Sequence, residues 1–258
     1  MKNEIVFIGT GSGKTSLTRY HSSILISAKN HNLLIDCGDS ISRALLYQNI
    51  DFEIIDSILI SHFHADHYTG LASLITQMHL NKRSKELNIF VNHEFTAQLK
   101  TFLNQSYLFE EVLPYKLNFN SFSSENEIIV CNDIKFISKQ NCHIRNKHNL
   151  DKYPEIKFIS SSFQFAIGNT NLVYTSDIGN KDDLFLFDLS KTDILISEIT
   201  HVEKEIFPVI LKKYPALKIF LTHINEDTFD GLISWHKNLE IQLKTRLIIC
   251  KDGNKIFL

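Results

Sequence analysis

An apolar run, Ser57-Ile58-Leu59-Ile60, opens straight into Ser61-His62-Phe63-His64-Ala65-Asp66-His67, which sets three histidines and an aspartate within six positions. Imidazole and carboxylate are the side chains that hold borderline and hard divalent ions at neutral pH. Alternate residues of an extended segment point to the same side, so His62 and His64 can share one ion. Asp66 and His67, past the turn, can reach a second. A fold that carries this segment must bring a buried strand to an end at a metal-binding edge.

The apolar strands are nearly continuous, as in Ile58-Leu59-Ile60 and Ile194-Leu195-Ile196. Such runs fit sheets covered on both faces. Strands are expected at 4–9, 23–27, 32–36, 57–60 and 88–91, with helices at 40–48, 68–80 and 94–104. The middle is β-rich, at 127–130, 134–138, 160–167 and 172–175. The last third alternates helices at 182–189, 203–214 and 228–238 with strands at 193–197, 217–221 and 245–250. Asp252-Gly253 then closes a hairpin into 255–258. Two β-rich stretches, each followed by helical segments, predict an α/β architecture of two face-to-face sheets with helices outside. No linker, repeat or low-complexity tract divides the chain, so residues 1–258 are expected to form a single domain.

The 258 residues are 43% hydrophobic and 22% charged, ordinary values for a globular protein. A net charge of −2 gives no overall field that draws nucleic acid, so phosphate binding must be local. The four cysteines, Cys37, Cys131, Cys142 and Cys250, form no CxxC pair and read as reduced thiols. The opening Met1-Lys2-Asn3-Glu4-Ile5-Val6-Phe7-Ile8 is too short for a secretory leader. No apolar stretch approaches the roughly 20 residues needed to span a bilayer. A reducing cytoplasm is the expected location.

Three further strand ends carry ligand-type side chains. They are Cys142-His143 after 134–138, Asp177 after 172–175, and Thr222-His223 after 217–221. Open α/β sheets place their sites at such ends. Singly, each is more often a surface histidine or a turn aspartate; their order after the His62 cluster is what gives them weight.

In that order, His62-x-His64-x-Asp66-His67, His143, Ser176-Asp177-Ile178-Gly179 and Thr222-His223 resemble the metallo-β-lactamase superfamily of dinuclear hydrolases. The opening Phe7-Ile8-Gly9-Thr10-Gly11-Ser12-Gly13 and Ile35-Asp36-Cys37-Gly38-Asp39 are similar to the ribonuclease Z branch and its phosphodiesterase relatives. Lys251-Asp252-Gly253 resembles that fold's closing hairpin. The resemblance implies a four-layer αββα sandwich, with His62, His64 and His143 on a first metal. It places Asp66, His67 and His223 on a second, with Asp177 bridging. It also implies two divalent ions, Zn2+ first and Mn2+ or Fe as alternatives, and a homodimer. Two ions about 3.5–4 Å apart can share a bridging hydroxide as nucleophile. Asp66 is then both ligand and catalytic residue, orienting that hydroxide. Asp36 or Asp39 is a candidate acceptor for a ligand histidine's second N–H, with a turn and a helix cap as the alternatives. Ser61 and Thr222 are candidates for similar support.

Ribonuclease Z enzymes carry a glycine- and proline-rich arm between the third histidine and the bridging aspartate. Here about thirty residues separate His143 from Asp177, with one proline, Pro154. The family's His-Glu-Ala-Thr segment, whose histidine assists protonation of the leaving group, is here Ser197-Glu198-Ile199-Thr200-His201. Glu198 is retained, serine replaces the histidine, and His201 is the candidate substitute. Both departures favour phosphodiester cleavage of a nucleotide or cyclic nucleotide over tRNA 3′ processing. An acyl hydrolase for thioesters or lactones, and a non-enzymatic metal-bound sensor, are the other classes considered.

Three motifs compete for phosphate. Gly9–Thr15 ends like a P-loop, but Ile8 stands where its first glycine belongs, so a tight glycine turn is expected. Lys82-Arg83-Ser84-Lys85 is expected as a solvated helix end, and His93 as an exposed helix start.

Overall fold

A computed structural model describes residues 3–144 and 152–258. Met1 and Lys2, and the segment 145–151 of the stretch expected to lack an arm, lie outside the described residues. In chain order the elements are β1 (Glu4–Gly9), β2 (Ser23–Ala28), β3 (His31–Ile35), α1 (Ile41–Tyr47), β4 (Ser57–Leu59), α2 (Ala65–Tyr68), α3 (Leu71–Leu80), β5 (Leu87–Asn92), α4 (Thr96–Gln105) and β6 (Leu117–Phe122). There follow β7 (Glu127–Cys131), β8 (Ile134–Gln140), β9 (Ser161–Ile167), β10 (Thr170–Tyr174), β11 (Ile194–Glu198), α5 (Ile206–Lys213), β12 (Lys218–Thr222), α6 (Phe229–Lys237), α7 (Ile241–Lys244), β13 (Leu247–Ile249) and β14 (Lys255–Phe257).

The chain forms two compact units, each built on one mixed seven-stranded sheet. Unit 1 holds residues 3–9, Leu17–Ser123 and Asp252–Leu258. Its sheet runs β14-β1-β2-β3-β4-β5-β6, antiparallel from β14 to β3 and parallel from β3 to β6. Leu33, Leu34, Ile35, Ile58, Leu59, Ile89 and Val91 are buried on consecutive as well as alternate positions, as in a sheet covered on both sides. Helix α3 offers the sheet Leu71, Leu74, Ile75 and Met78, an i, i+3, i+4, i+7 stripe of buried side chains. Each fully buried aliphatic of this kind contributes about 1.5–3 kcal/mol.

Unit 2 holds Thr10–Ser16 and Ser124–Lys251, with strand order β13-β12-β11-β10-β9-β8-β7. Strands β10 to β13 are parallel and β7 to β10 antiparallel. Phe207, Ile210 and Leu211 of α5, with Leu232 of α6, close a core over Leu195, Ile219, Leu221 and Leu247.

Several expectations are corrected. The helix expected at 68–80 is interrupted at Thr69-Gly70, where Gly70 lies so close to Gly38 that a Cβ would stand 2.0 Å from the Gly38 carbonyl oxygen. The helix expected at 182–189 is two 3-10 turns, Lys181–Phe185 and Leu189–Lys191, each started by a side-chain cap, Asn180 and Asp188. Asp252-Gly253 makes a turn with Gly253 at φ 83°, but the strand after it pairs antiparallel with β1, not with β13. Strand β6 and helix α7 were not expected. Polar asparagines at 118 and 120 had masked β6; their amides bond Glu86 and Asn88 beside it.

Arg83 is not part of a solvated basic patch. Its guanidinium is buried and donates to the carbonyls of Lys85, Phe52, Ile55 and Glu86, tying the end of α3 to the loop before β4. Burial depresses its pKa from the ordinary arginine value. His93 is exposed and pairs with Glu94, as expected.

Candidate active site

In unit 1 the site begins where β3 and β4 end side by side. Asp36, the first residue past β3, adopts a left-handed φ of 60° and is fully buried. Its Oδ1 accepts the Ser61 backbone N–H at 2.8 Å; its Oδ2 accepts the Ser61 hydroxyl at 2.8 Å and His67 Nδ1 at 2.8 Å. A carboxylate in that position fixes the His67 tautomer, with the proton on Nδ1 and the lone pair on Nε2. Since Ser61 gives its only hydroxyl proton to Asp36, His62 Nδ1, 3.0 Å away, donates to Ser61 Oγ. That leaves the His62 lone pair on Nε2 as well.

The extended His62–His64 step then sets His62 Nε2 3.1 Å from His64 Nδ1, as the alternation of an extended segment predicts. Asp66 and His67 lie on α2, with Asp66 Oδ2 3.4 Å from His67 Nε2. The start of α2 presses on Gly38: a Cβ there would stand 1.9 Å from the Asp66 carbonyl oxygen. Asp36 is thus the supporting acceptor, whereas Asp39 is exposed and accepts from Ser40 where α1 begins.

In unit 2, β8, β10 and β12 deliver His143, Asp177 and His223, all buried. Asp177 Oδ2 stands 3.6 Å from His143 Nε2 and 3.2 Å from His223 Nε2. His143 Nδ1 lies 3.3 Å from the Ile178 carbonyl, which assigns the proton to Nδ1 and the lone pair to Nε2.

Two residues not singled out from the sequence hold this arrangement. The Asn141 amide donates to the Asp177 carbonyl at 2.9 Å and its oxygen accepts the His143 N–H at 3.1 Å. Buried Asp183 accepts the N–H groups of Cys142 at 3.1 Å and Gly179 at 2.8 Å. An asparagine just before Cys142-His143 was the available signal for the first; nothing in the sequence marked the second.

His223 also has a left-handed φ, 53°. That conformation is costly for a residue with a Cβ and persists only where its surroundings enforce it. The strap Thr10–Ser12 supplies the enforcement: Ile224 N donates to Thr10 O at 2.8 Å and Ser12 N to Ile224 O at 3.1 Å. The glycine-rich segment is therefore a turn that clamps a ligand histidine's loop, and Lys14 pairs with Asp227 there.

Glu198 ends β11 almost fully buried, while His201 is partly exposed. Glu198 Oε2 accepts the backbone N–H groups of Thr200 and His201, and Oε1 lies 3.2 Å from His201 Nδ1. The His201 ring stands 4.8 Å from that of His143 and 5.8 Å from that of His223. Thr200 Oγ1 donates to the His223 carbonyl.

The donor atoms test the metal expectation directly. Neighbouring ligand atoms within a unit are 3.1, 3.2, 3.4 and 3.6 Å apart. Two nitrogens about 2.05 Å from one tetrahedral ion stand about 3.3 Å apart. Both halves fit divalent metal, and the set of imidazoles and carboxylates is the chemistry that zinc, manganese and iron accept.

The metallo-β-lactamase fold protein YhfI from Bacillus subtilis matches with a TM-score of 0.74 at 19% identity, covering 99% of both chains. Human tRNase Z, short form, matches with a TM-score of 0.68 at 17% identity over 98% of each chain. These likenesses show the metallo-β-lactamase fold, the α/β sandwich class expected from the sequence. The family model described as Anti-Pycsar protein Apyc1 matches residues 3–207, and the chain belongs to that family. Ribonuclease Z of Methanococcus aeolicus is 29% identical over 135 residues, 52% of this chain and 41% of that protein. The chain spans less than half the length of the curated relatives it matches first.

Proposed function

We propose that this protein is a metal-dependent hydrolase that cleaves a phosphodiester in a nucleotide or cyclic nucleotide. His62, His64 and His143 would hold one divalent ion, and Asp66, His67 and His223 a second, with Asp177 shared. Zinc is the first expectation. The donor-atom spacing within each unit is the observation that carries the reading. Bound ions of this kind lower the pKa of water and neutralise charge developing on a phosphoryl oxygen.

The protein's own groups have separable tasks. Asp36 and Ser61 keep the Nε2 atoms of His67 and His62 in their basic form, and Asp66 orients the attacking water. Glu198 aligns His201 through Nδ1. His201 Nε2 then carries the proton given to the leaving oxygen as the P–O bond breaks. This assigns His201 the task for which Ser197 is unsuited, since a serine hydroxyl at the β11 end has no comparable acidity and donates to the Glu198 carbonyl.

The curated relatives named ribonuclease Z favour a second reading, tRNA 3′ processing. Ser197 in place of histidine and the short His143–Asp177 interval are the sequence features that weigh against it. Thioester or lactone hydrolysis on the same scaffold is the other alternative. A cytoplasmic address and a homodimer remain part of the proposal; no helix of the described residues is long and apolar enough to cross a membrane.

The test is turnover of bis(p-nitrophenyl) phosphate, a thioester and a chromogenic β-lactam by metal-loaded protein. Diester cleavage that falls by about 100-fold or more in Asp66→Ala supports the reading. Turnover of an acyl substrate alone would contradict it.

A further inference from the structure

Thr175, the first residue past β10, is buried and joins two strand ends of unit 2 through one hydroxyl. Its Oγ1 donates to the Ser176 carbonyl oxygen at 2.7 Å and accepts the Glu198 backbone N–H at 3.2 Å. Ser176 has a left-handed φ of 51°. That conformation is costly for a residue with a Cβ and persists only where its surroundings enforce it. Ser176 directly precedes Asp177, so its backbone angles set the direction in which the Asp177 carboxylate leaves the chain.

The neighbouring carbonyls are held as well. Thr175 O accepts the Ser162 hydroxyl at 2.6 Å, and Asp177 O accepts the Asn141 amide at 2.9 Å. Asn141, Ser162, Ser176 and Asp177 are all buried. The Thr175 hydroxyl is the contact that grips the Ser176 peptide itself, and through the Glu198 N–H it anchors that peptide to the end of β11.

We propose that Thr175 is a positioning residue. Its hydroxyl holds Ser176 in the left-handed conformation and so directs Asp177 Oδ2 at the Nε2 atoms of His143 and His223, 3.6 and 3.2 Å away. This rests on the metal reading and deepens it, by naming a side chain that shapes the shared ligand without being one. Released from Thr175, Ser176 returns to ordinary φ in most molecules, and the fraction with Asp177 in the ligating direction drops about tenfold. Apparent metal affinity falls by the same factor.

The experiment is a competitive chelator titration of zinc on the full chain, with thermal unfolding followed beside it. Thr175→Val keeps the side chain's shape and removes the hydroxyl; its zinc affinity is expected to fall about tenfold. Thr175→Ser, which keeps the hydroxyl, should stay within about threefold of the unaltered protein. Adding Ser176→Gly to Thr175→Val should bring affinity back to within about threefold, because glycine takes a positive φ at little cost. A lost buried hydrogen bond by itself predicts no such recovery. Thr192→Val removes a hydroxyl bond to the Asp188 carbonyl just before β11. It should lower the melting temperature and leave zinc affinity unchanged. If Thr175→Val does not fold, Ser176→Thr tests the same point. Its β-branched side chain resists the left-handed region, and about tenfold weaker zinc binding is expected. Zinc affinity within about twofold of the unaltered protein in Thr175→Val, or in Ser176→Thr where that is the variant that folds, would overturn the assignment. So would the absence of any recovery on adding Ser176→Gly. Retention of less than one zinc by the unaltered chain would instead overturn the metal reading, and the role of Thr175 with it.

Discussion

Asp36 carries three hydrogen bonds from one fully buried carboxylate, and in doing so links β3, β4 and the ligand His67. Removing it strands the buried Ser61 N–H and hydroxyl and the His67 N–H, each a loss of about 1–3 kcal/mol. Asp36→Ala is therefore expected to lower stability by about 3 kcal/mol and metal affinity by about 10- to 100-fold. Urea unfolding and a competitive chelator titration would check both; unchanged metal affinity would show that the His67 tautomer needs no such partner. At this scale the sequence was informative for ligands and weak for their supports. His62 to His67 stood out because four metal-binding side chains crowd six positions. Asp183 did not, because its partners are backbone N–H groups more than forty positions earlier at Cys142 and four positions earlier at Gly179.

The strands were legible because long apolar runs have few other uses, and β4, β11 and β12 fell where Ile58, Ile194 and Ile219 lie. What escaped was partner choice. Strand β14 follows β13 after a short turn, yet it joins β1, since local turn chemistry does not encode which sheet edge is open. Within unit 1, His31 at the head of β3 tests the element's packing. Its Nε2 lies 2.8 Å from Ser57 Oγ on β4, and burial, opposed by Asp56, lowers its pKa below 6.5. Below pH 6.5 the unfolded chain takes up a proton that the folded one resists. Stability from this group is thus complete above pH 6.5 and is lost as pH falls through the depressed folded value. Unfolding at pH 7.5 and pH 5 should show a smaller decline for His31→Gln than for the unaltered chain. An identical decline would mean that His31 titrates normally in the fold.

The chain passes between its two units four times, at Gly9–Thr10, Ser16–Leu17, Ser123–Ser124 and Lys251–Asp252. Neither unit is a continuous stretch, and we propose that all 258 residues unfold as one domain. Thermal or urea unfolding should then follow one transition, with Trp235 fluorescence, which reports on unit 2 alone, coinciding with far-UV circular dichroism. Separated midpoints would mark two independent domains. The central proposal is that His62, His64, Asp66, His67, His143, Asp177 and His223 hold two divalent ions, and metal content per chain tests it most directly. Protein reconstituted with zinc and freed of excess should retain about two equivalents by mass spectrometry. His64→Ala and His223→Ala should each lose about one, and Asp177→Ala should lose more than one. A content below one equivalent in the unaltered protein, or two equivalents retained by Asp177→Ala, would contradict the account.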